Sequence, residues 1–121
     1  MWAAEYDRPA VSQLLLDAGA KVDAKDRAGE TALMNAAAHG HNQMVRVLLS
    51  AKASANARNK NKKTVLMFAA YYGHADTVKL LLDSGAKVNA KAKYGWTALK
   101  IAQDNHFADV VRVLKQYGAI G

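Results

Sequence analysis

Apolar and polar positions along the chain recur with a period of 33 residues. Leu33, Leu66 and Leu99 occupy equivalent positions, and an alanine follows each of them three residues later. The Leu-Leu pairs at 48–49 and 81–82 recur with the same step, and no insertion breaks the register. A short, unbroken period of this kind is typical of a solenoid, in which each unit packs only against its neighbours.

Within each unit, the spacing of apolar residues predicts two short amphipathic helices. In the unit that begins at Asp26, Thr31 is placed to cap the first helix, and Leu33 with the following alanines faces the core. Gly40 is predicted to end that helix, because glycine readily takes the left-handed conformation found after a helix. The chain is predicted to form one domain, 1–121, of eight helices in units at 1–25 (partial), 26–58, 59–91 and 92–121.

The first and last units differ from the inner ones in ways that predict how the stack ends. The partial unit lacks the polar turn and the threonine, so Trp2 and its apolar neighbours are expected to lie uncovered. In the last unit Gln103, His106 and Lys115 stand where other units have alanine, glycine and leucine. Polar residues at these positions are typical of a terminal repeat whose outer face meets water.

Two lysines occupy positions where other units have glycine. Lys62 corresponds to Gly29 and Gly95, in turns that are predicted to need a positive φ, so its turn is expected to be looser. Lys52 corresponds to Gly85, just after a second helix. If that position also needs a positive φ, Lys52 costs about 1 kcal/mol relative to glycine.

The units resemble ankyrin repeats, whose pattern is roughly D-x-x-G-x-T-P-L-H-x-A-A-x-x-G-H-x-x-V-V-x-L-L-L-x-x-G-A-x-V-N-A. Asp26–Leu49 reads D-R-A-G-E-T-A-L-M-N-A-A-A-H-G-H-N-Q-M-V-R-V-L-L, and Tyr94–Ala102 reads Y-G-W-T-A-L-K-I-A. Thr64–Ala90 reads T-V-L-M-F-A-A-Y-Y-G-H-A-D-T-V-K-L-L-L-D-S-G-A-K-V-N-A. The resemblance covers essentially the whole chain. It implies an all-α ankyrin-repeat solenoid of about 3.5 helix-turn-helix repeats with extended β-turn loops.

The chain departs from the family pattern at the proline and histidine of the T-P-L-H motif. The proline position holds alanine or valine, and the histidine position holds Met34, Met67 and Lys100. The threonine–histidine hydrogen bonding of the family is therefore predicted to be absent. These departures, together with Lys52 and Lys62, favour a natural fragment, or a variant built from one, over an idealised consensus design, and an engineered chain stays an alternative.

The resemblance implies a non-enzymatic protein-protein interaction module that binds through a concave face of loop tips and first helices. Its positions here include Asn61, Asp104 and Asn105. Tyrosine and tryptophan at such a surface are typical of interaction hot spots, although some of them could simply cover neighbouring helices. The predicted partner-binding residues are Arg27, His39, Lys60, Lys63, Tyr71, Tyr72, Lys93, Tyr94 and Trp96.

The net charge of +7 is distributed unevenly along the chain. Residues 1–33 hold six acids and four bases, whereas residues 34–121 hold four acids and thirteen bases. The run at 56–63 has four cations and no acid. Such a cationic turn favours a partner protein with an acidic surface or segment. The alternative interpretation is a lysine-rich surface that serves only solubility.

Several other functions are not indicated by the sequence. There is no cysteine, no G-x-S-x-G motif and no glycine-rich phosphate loop, so catalysis, a cofactor and a metal site are not expected. His41 and His74 occupy the Gly-His position of the repeat, where a structural hydrogen bond to a loop is predicted. No signal peptide or membrane-spanning run is evident, which favours a cytoplasmic or nuclear location. The second hypothesis is a structural or self-associating fragment that dimerises through its partial N-terminal unit, and nucleic-acid binding is the third.

Overall fold

The computed structural model describes residues 22–120 and shows a stack of helix pairs. The helices are α1 (Ala32–Ala38), α2 (Asn42–Ser50), α3 (Val65–Tyr71), α4 (Ala75–Asp83), α5 (Ala98–Asp104) and α6 (Ala108–Gln116). A short 3-10 helix spans Lys93–Gly95. The two helices predicted in the unit at 1–25 lie outside the described residues. Over the described residues the only β-pairing is an isolated antiparallel bridge between Arg58 and Thr64.

The helices form two layers. The first helices of the pairs, α1, α3 and α5, pack side by side, and the second helices, α2, α4 and α6, pack behind them. Each first helix also packs against the second helix of its own pair. This arrangement confirms the predicted all-α solenoid, in which contacts run between neighbouring units. None of the six helices in the described part of the chain could span a lipid bilayer.

The core repeats with the period of the sequence. Leu33, Leu66 and Leu99 are at most 2% exposed, and the alanines three residues after them are fully buried. In the second helices the equivalent core leucines are Leu48, Leu81 and Leu114. Alanines on the inner face of the first helices leave little side-chain volume there, so neighbouring helices can approach closely. The apolar period therefore marks the core in all three described helix pairs.

Threonine caps each first helix, as predicted for Thr31. The side-chain oxygens of Thr31 and Thr64 each accept a hydrogen bond of 3.3 Å from the backbone N–H three residues on. Thr97 does the same at 3.2 Å. The histidine of the family motif is absent, but methionine partly replaces it. The Met34 and Met67 sulfurs lie 3.4 and 3.5 Å from the Thr31 and Thr64 backbone nitrogens, closing a reciprocal capping pair.

An Asp or Asn side chain organises two of the three described turns. The Asp26 carboxylate accepts from the backbone N–H groups of Ala28 and Glu30, both at 2.9 Å. In the next turn the Asn59 amide oxygen accepts two equivalent hydrogen bonds. Lys62 there has a φ of 61°, close to the 79° of Gly29. Replacement of the glycine by Lys62 therefore removes none of these hydrogen bonds, and the looser turn stays a prediction.

The third turn differs because Ala92 replaces the Asp or Asn. With no side-chain acceptor at this position, the backbone forms the 3-10 helix, and Tyr94 takes a left-handed φ of 65°. Neighbouring turns are nevertheless linked in the same way throughout. Lys60 donates its backbone N–H to the Ala28 carbonyl oxygen at 3.0 Å, and Lys93 donates to Asn61 at 3.1 Å. The turns therefore stack in register although one of them has a different backbone.

Two asparagines, Asn56 and Asn89, link the loop after the second helix of one unit to the equivalent loop of the next. Asn56 donates its amide to the Gly85 carbonyl oxygen at 3.1 Å and accepts from the Lys87 N–H at 2.8 Å. Asn89 makes the equivalent pair of hydrogen bonds one repeat later, to Gly118 and Ile120. Because each amide satisfies a carbonyl and an N–H of the following loop, these side chains fix the spacing of the units.

Lys52 has a φ of 70°, which confirms that its position needs the conformation that Gly85 adopts with φ 95°. We expect Lys52→Gly to raise the free energy of unfolding by about 1 kcal/mol, because glycine takes a positive φ without steric cost. Urea unfolding followed by circular dichroism measures the change. The control is Lys79→Gly within α4, which should lower stability by about 1 kcal/mol. Equal losses for both variants would contradict strain at Lys52.

The Tyr117 hydroxyl donates a hydrogen bond to the Asp83 carboxylate, across the last two helix pairs. This hydrogen bond, with lesser contributions from desolvation and the Asp83 charge, raises the pKa of Tyr117 above its ordinary value of 10.0. A raised pKa means that the stabilisation is fully present below about pH 10 and is lost as pH rises through the folded-state pKa. We expect the stability difference between the parent and Tyr117→Phe to shrink as the pH rises above about 10. Urea unfolding measures both stabilities, and a difference that stays constant as the pH rises would contradict this stabilising role of the Tyr117–Asp83 hydrogen bond.

Candidate partner-binding groove

A groove of about 440 Å³ opens between the last two turns and the first helices that follow them. We call it the 3/4 groove, because it lies between the third and fourth predicted units. Its walls combine charged, aromatic and apolar side chains, and its volume is in the range of ligand-binding pockets. It is lined by Asn61, Lys63, Tyr71, Ala92, Lys93, Tyr94, Trp96, Ile101, Asp104 and Asn105.

The turns position the two lysines of the groove. Lys63 follows the turn organised by Asn59, whose amide oxygen accepts from the Lys63 backbone N–H at 2.9 Å. Lys93 lies in the adjacent turn, where its backbone N–H is bonded to Asn61. Both side chains are exposed, and among residues 22–120 no carboxylate forms an ion pair with either. The two positive charges are therefore open to a ligand at the turn end of the groove.

Three aromatic residues line the groove from different elements. Tyr71 ends α3, is 52% exposed, and meets Tyr72 edge-to-face with ring centroids 4.9 Å apart. Tyr94 is 88% exposed at the tip of its turn. Trp96 is half-buried, and the Lys100 ammonium lies 5.2 Å from its ring centroid in a cation–π contact. Aromatic surface is therefore available at both the turn end and the helix end of the groove.

The floor of the groove is apolar and its far end is acidic. Ala92 and Ile101, each 8% exposed, form the floor. Asp104 is the last residue of α5, and Asn105 follows it with its amide bonded to the Ile101 carbonyl oxygen at 3.1 Å. The C-terminal end of a helix carries a partial negative charge, to which the Asp104 carboxylate adds. The groove thus has cations at one end and negative charge at the other.

A second, smaller recess of about 260 Å³ lies one unit earlier on the same face. His39 and Tyr72 line it, so the adjacent residues Tyr71 and Tyr72 serve different recesses. Glu30 is also in its wall, and His39 donates from Nδ1 to the Asn35 carbonyl oxygen at 2.8 Å. With Glu30 present and no lysine or arginine in its lining, this recess does not share the positive charge of the 3/4 groove.

The predicted binding residues therefore separate into three groups. Lys63, Tyr71, Lys93, Tyr94 and Trp96 line the 3/4 groove, and His39 and Tyr72 line the smaller recess. Arg27 and Lys60 are exposed on their turns but line neither.

Lys100 and Ile101 were not among the residues predicted to lie at the site. The signal for Lys100 was its place at the histidine position of the family motif, which holds methionine in the preceding units. Ile101 was concealed by its apolar character, because such a residue on a first helix is ordinarily interpreted as core.

The cations of the 56–63 run have two different roles. Arg58 donates from Nη2 to the Lys91 carbonyl oxygen at 3.3 Å and accepts at its own carbonyl from Lys25 Nζ at 2.9 Å. This ladder, again with a period of 33, links neighbouring units. Lys60 and Lys62 instead stay exposed at the turn tip, like Lys63. The run is therefore partly structural and partly an exposed cationic surface.

The histidine at the Gly-His position of the third unit makes a structural hydrogen bond, as predicted, but to the last residue of helix α1 rather than to a loop. His74 Nε2 donates to the Ala38 carbonyl oxygen of the preceding unit at 2.9 Å. Its ring also packs where a side chain on Gly40 would be, with the nearest ring atom, Nδ1, 2.8 Å from that position. His41 stacks on His39 with centroids 5.5 Å apart. Between residues 22 and 120, no group of three or more His, Asp or Glu residues could hold a metal ion.

Comparison with protein families matches the chain to ankyrin repeats, in three copies. The matched segments are residues 1–92 and 54–120, which together cover nearly all of the chain. No significant match was found among curated proteins. Three stacked helix pairs, capped by threonine and repeating every 33 residues, have the architecture that this match implies. The chain belongs to the ankyrin-repeat family.

Proposed function

We propose that the chain binds a partner protein with an acidic surface or segment through the 3/4 groove, without a cofactor and without a chemical step. Ankyrin repeats are generally protein–protein interaction modules and are typically non-enzymatic. The single observation that carries the proposal is that five of the nine predicted contact residues line one groove. These five come from two turns and the end of a helix, so only the fold brings them together.

Each group in the groove has a role in the proposed binding. Lys63 and Lys93 attract and hold a carboxylate, because a cation that is not already paired gains most from a charged partner. Tyr71, Tyr94 and Trp96 supply broad, rigid contact surfaces, whose burial gives most of the affinity at interaction hot spots. His39 and Tyr72 in the smaller recess, with Arg27 and Lys60 on the turns, form the edge of the same interface.

The experiment that tests the proposal is a pull-down from nuclease-treated lysate with three versions of the chain. The first is the parent, and the second is the groove variant Lys63→Glu, Tyr71→Ala, Lys93→Glu. The third is the control Lys79→Glu, which changes an exposed lysine on α4, outside the groove. All three substituted side chains of the groove variant are exposed, so it should fold, which circular dichroism checks.

The expected result is a protein that the parent and Lys79→Glu retain and that the groove variant loses. The affinity of that protein for the groove variant should fall at least about a hundredfold, since hot-spot residues contribute 1–2 kcal/mol or more each. If all three chains retain the same protein equally, binding through the 3/4 groove is refuted. A parallel pull-down without nuclease supplies the comparison: a ligand captured only from untreated lysate, with an affinity that falls steeply with salt, would instead favour nucleic-acid binding.

The self-association hypothesis concerns Trp2 and its neighbours, which lie outside the described residues, and it stays a prediction. Sedimentation at increasing concentration tests it: a mass that doubles would favour dimerisation through the partial unit. The cytoplasmic or nuclear location and the unit boundaries at 1–25, 26–58, 59–91 and 92–121 likewise remain predictions from the sequence.

A further inference from the structure

The 3/4 groove is electrically asymmetric along its length, and this asymmetry specifies its ligand more closely. We propose that the groove binds a short partner segment with a carboxylate at one end, an apolar or aromatic side chain in the middle, and a lysine or arginine at the other end. The inference rests on the proposed function, but it replaces a generally acidic segment with one of defined charge order.

The positive end of the groove lies at the turns. Lys63 and Lys93 are the only cations in the groove lining, and both come from this end. The backbone hydrogen bond from Lys93 to Asn61 fixes the two turns next to each other. The ammonium groups of Lys63 and Lys93 are unpaired and come from adjacent turns, so they repel each other. A carboxylate bound between them would relieve this repulsion.

The middle of the groove suits an apolar side chain. Ile101 and Ala92 are the most buried residues of the lining. Tyr71 at the end of α3 and Trp96 before α5 add aromatic surface. Lys100 contacts the Trp96 ring and the ring also packs against the core, so only part of its surface is left for a ligand. An aromatic or branched aliphatic side chain fills such a site, and its burial supplies affinity that exposed charges alone do not give.

The negative end lies at the C-terminus of α5. Asp104 is the only acid in the groove lining, and no cation of the lining comes from this end. The Asn105 amide donates to Ile101, which leaves its side-chain oxygen as an acceptor. The helix terminus adds partial negative charge. This end therefore repels a second carboxylate and favours the donors of a lysine or arginine.

The helix length sets the spacing of the two charges in the ligand. Lys93 lies in the turn before α5, and Asp104 ends α5, which has seven residues. At 1.5 Å per residue this helix alone is about 10 Å long. An extended chain covers about 3.3 Å per residue, so acid and base should lie at least about three residues apart.

The test is selection of peptides from a displayed library of random sequences, about 12 residues long so that they span the groove with margin. The parent, Asp104→Lys and the double variant Lys63→Glu, Lys93→Glu are compared, with Lys79→Glu as control. Parent and control should enrich peptides with an acid and a base at least about three residues apart around an apolar residue. Asp104→Lys should keep the acid and lose the base, since a lysine at a helix C-terminus is compatible with folding. The double variant should lose the acid.

A synthetic copy of the best peptide gives the magnitude. Changing its basic residue to glutamate should weaken binding to the parent at least about tenfold, and to Asp104→Lys much less. Parent-selected peptides that are uniformly acidic, or an unchanged selection by Asp104→Lys, would overturn the charge order while leaving groove binding intact. If the parent enriches no peptides, the short-segment ligand is refuted, and the pull-down with the groove variant decides the proposed function separately.

Discussion

Replacing Leu66 with alanine is expected to lower the free energy of unfolding by about 2–5 kcal/mol, because it opens a cavity in the core. Leu66 is 1% exposed in the middle helix pair, and its helix α3 packs between α1 and α5. A cavity at this place weakens both inter-unit interfaces at once, and a solenoid depends on such interfaces because its units are unstable alone. Urea unfolding followed by circular dichroism measures the loss.

The matched control for this change is Leu80→Ala in α4. It removes the same atoms from a leucine that is only partly buried, packed at the edge of the core. Its cost should be clearly smaller, because less apolar surface returns to water and the cavity stays open to solvent. Equal costs at the two positions would show that the repeating leucine of the first helices has no special place in the core.

Substituting alanine for Gly29 should cost about 2 kcal/mol, from a strained backbone and a steric conflict together. Gly29 has a φ of 79°, and an added Cβ would lie 3.0 Å from the Lys60 backbone nitrogen. That nitrogen belongs to the hydrogen bond that joins the first two described turns. Because backbone atoms cannot rotate away as a side chain can, the turns would have to separate.

Gly95→Ala is the control that isolates this contact. Gly95 has a similar φ of 77°, but an added Cβ there meets no atom within 4 Å. Its substitution should cost only the conformational part, about 1 kcal/mol. If thermal unfolding gives the two variants the same loss, the close stacking of the turns does not contribute to stability at Gly29.

The fold could be predicted from the sequence because the same core positions recur in every repeat. Leu66 has equivalents one period before and after it, so the core positions are specified three times within the described residues. The turn backbone was less predictable. Lys62 keeps the turn that Gly29 forms because Asn59 supplies the acceptor, whereas Ala92 cannot, and there the turn changes. The Asp or Asn at the start of the turn therefore determines the turn backbone more than the glycine does.

The candidate site could be predicted as a face of the molecule, but its division into recesses could not. Tyr71 and Tyr72 are adjacent in sequence and similarly exposed, but their side chains leave the end of α3 in different directions and so line different recesses. The roles of Asn56 and Arg58 were also not evident. Exposed polar residues are ordinarily interpreted as solvated surface, and their hydrogen bonds to the next unit depend on distances between units that the sequence does not give.

The most direct test of groove binding uses the two tryptophans of the chain. Trp2→Phe leaves Trp96 as the only tryptophan, and Trp96 lines the 3/4 groove. Acrylamide quenching of its fluorescence is then measured with and without a saturating amount of the protein retained by the parent chain. A partner in the groove predicts that quenching falls on binding and does not fall when the Lys63→Glu, Tyr71→Ala, Lys93→Glu substitutions are added. Unchanged quenching of Trp96 at saturation would contradict binding through this groove.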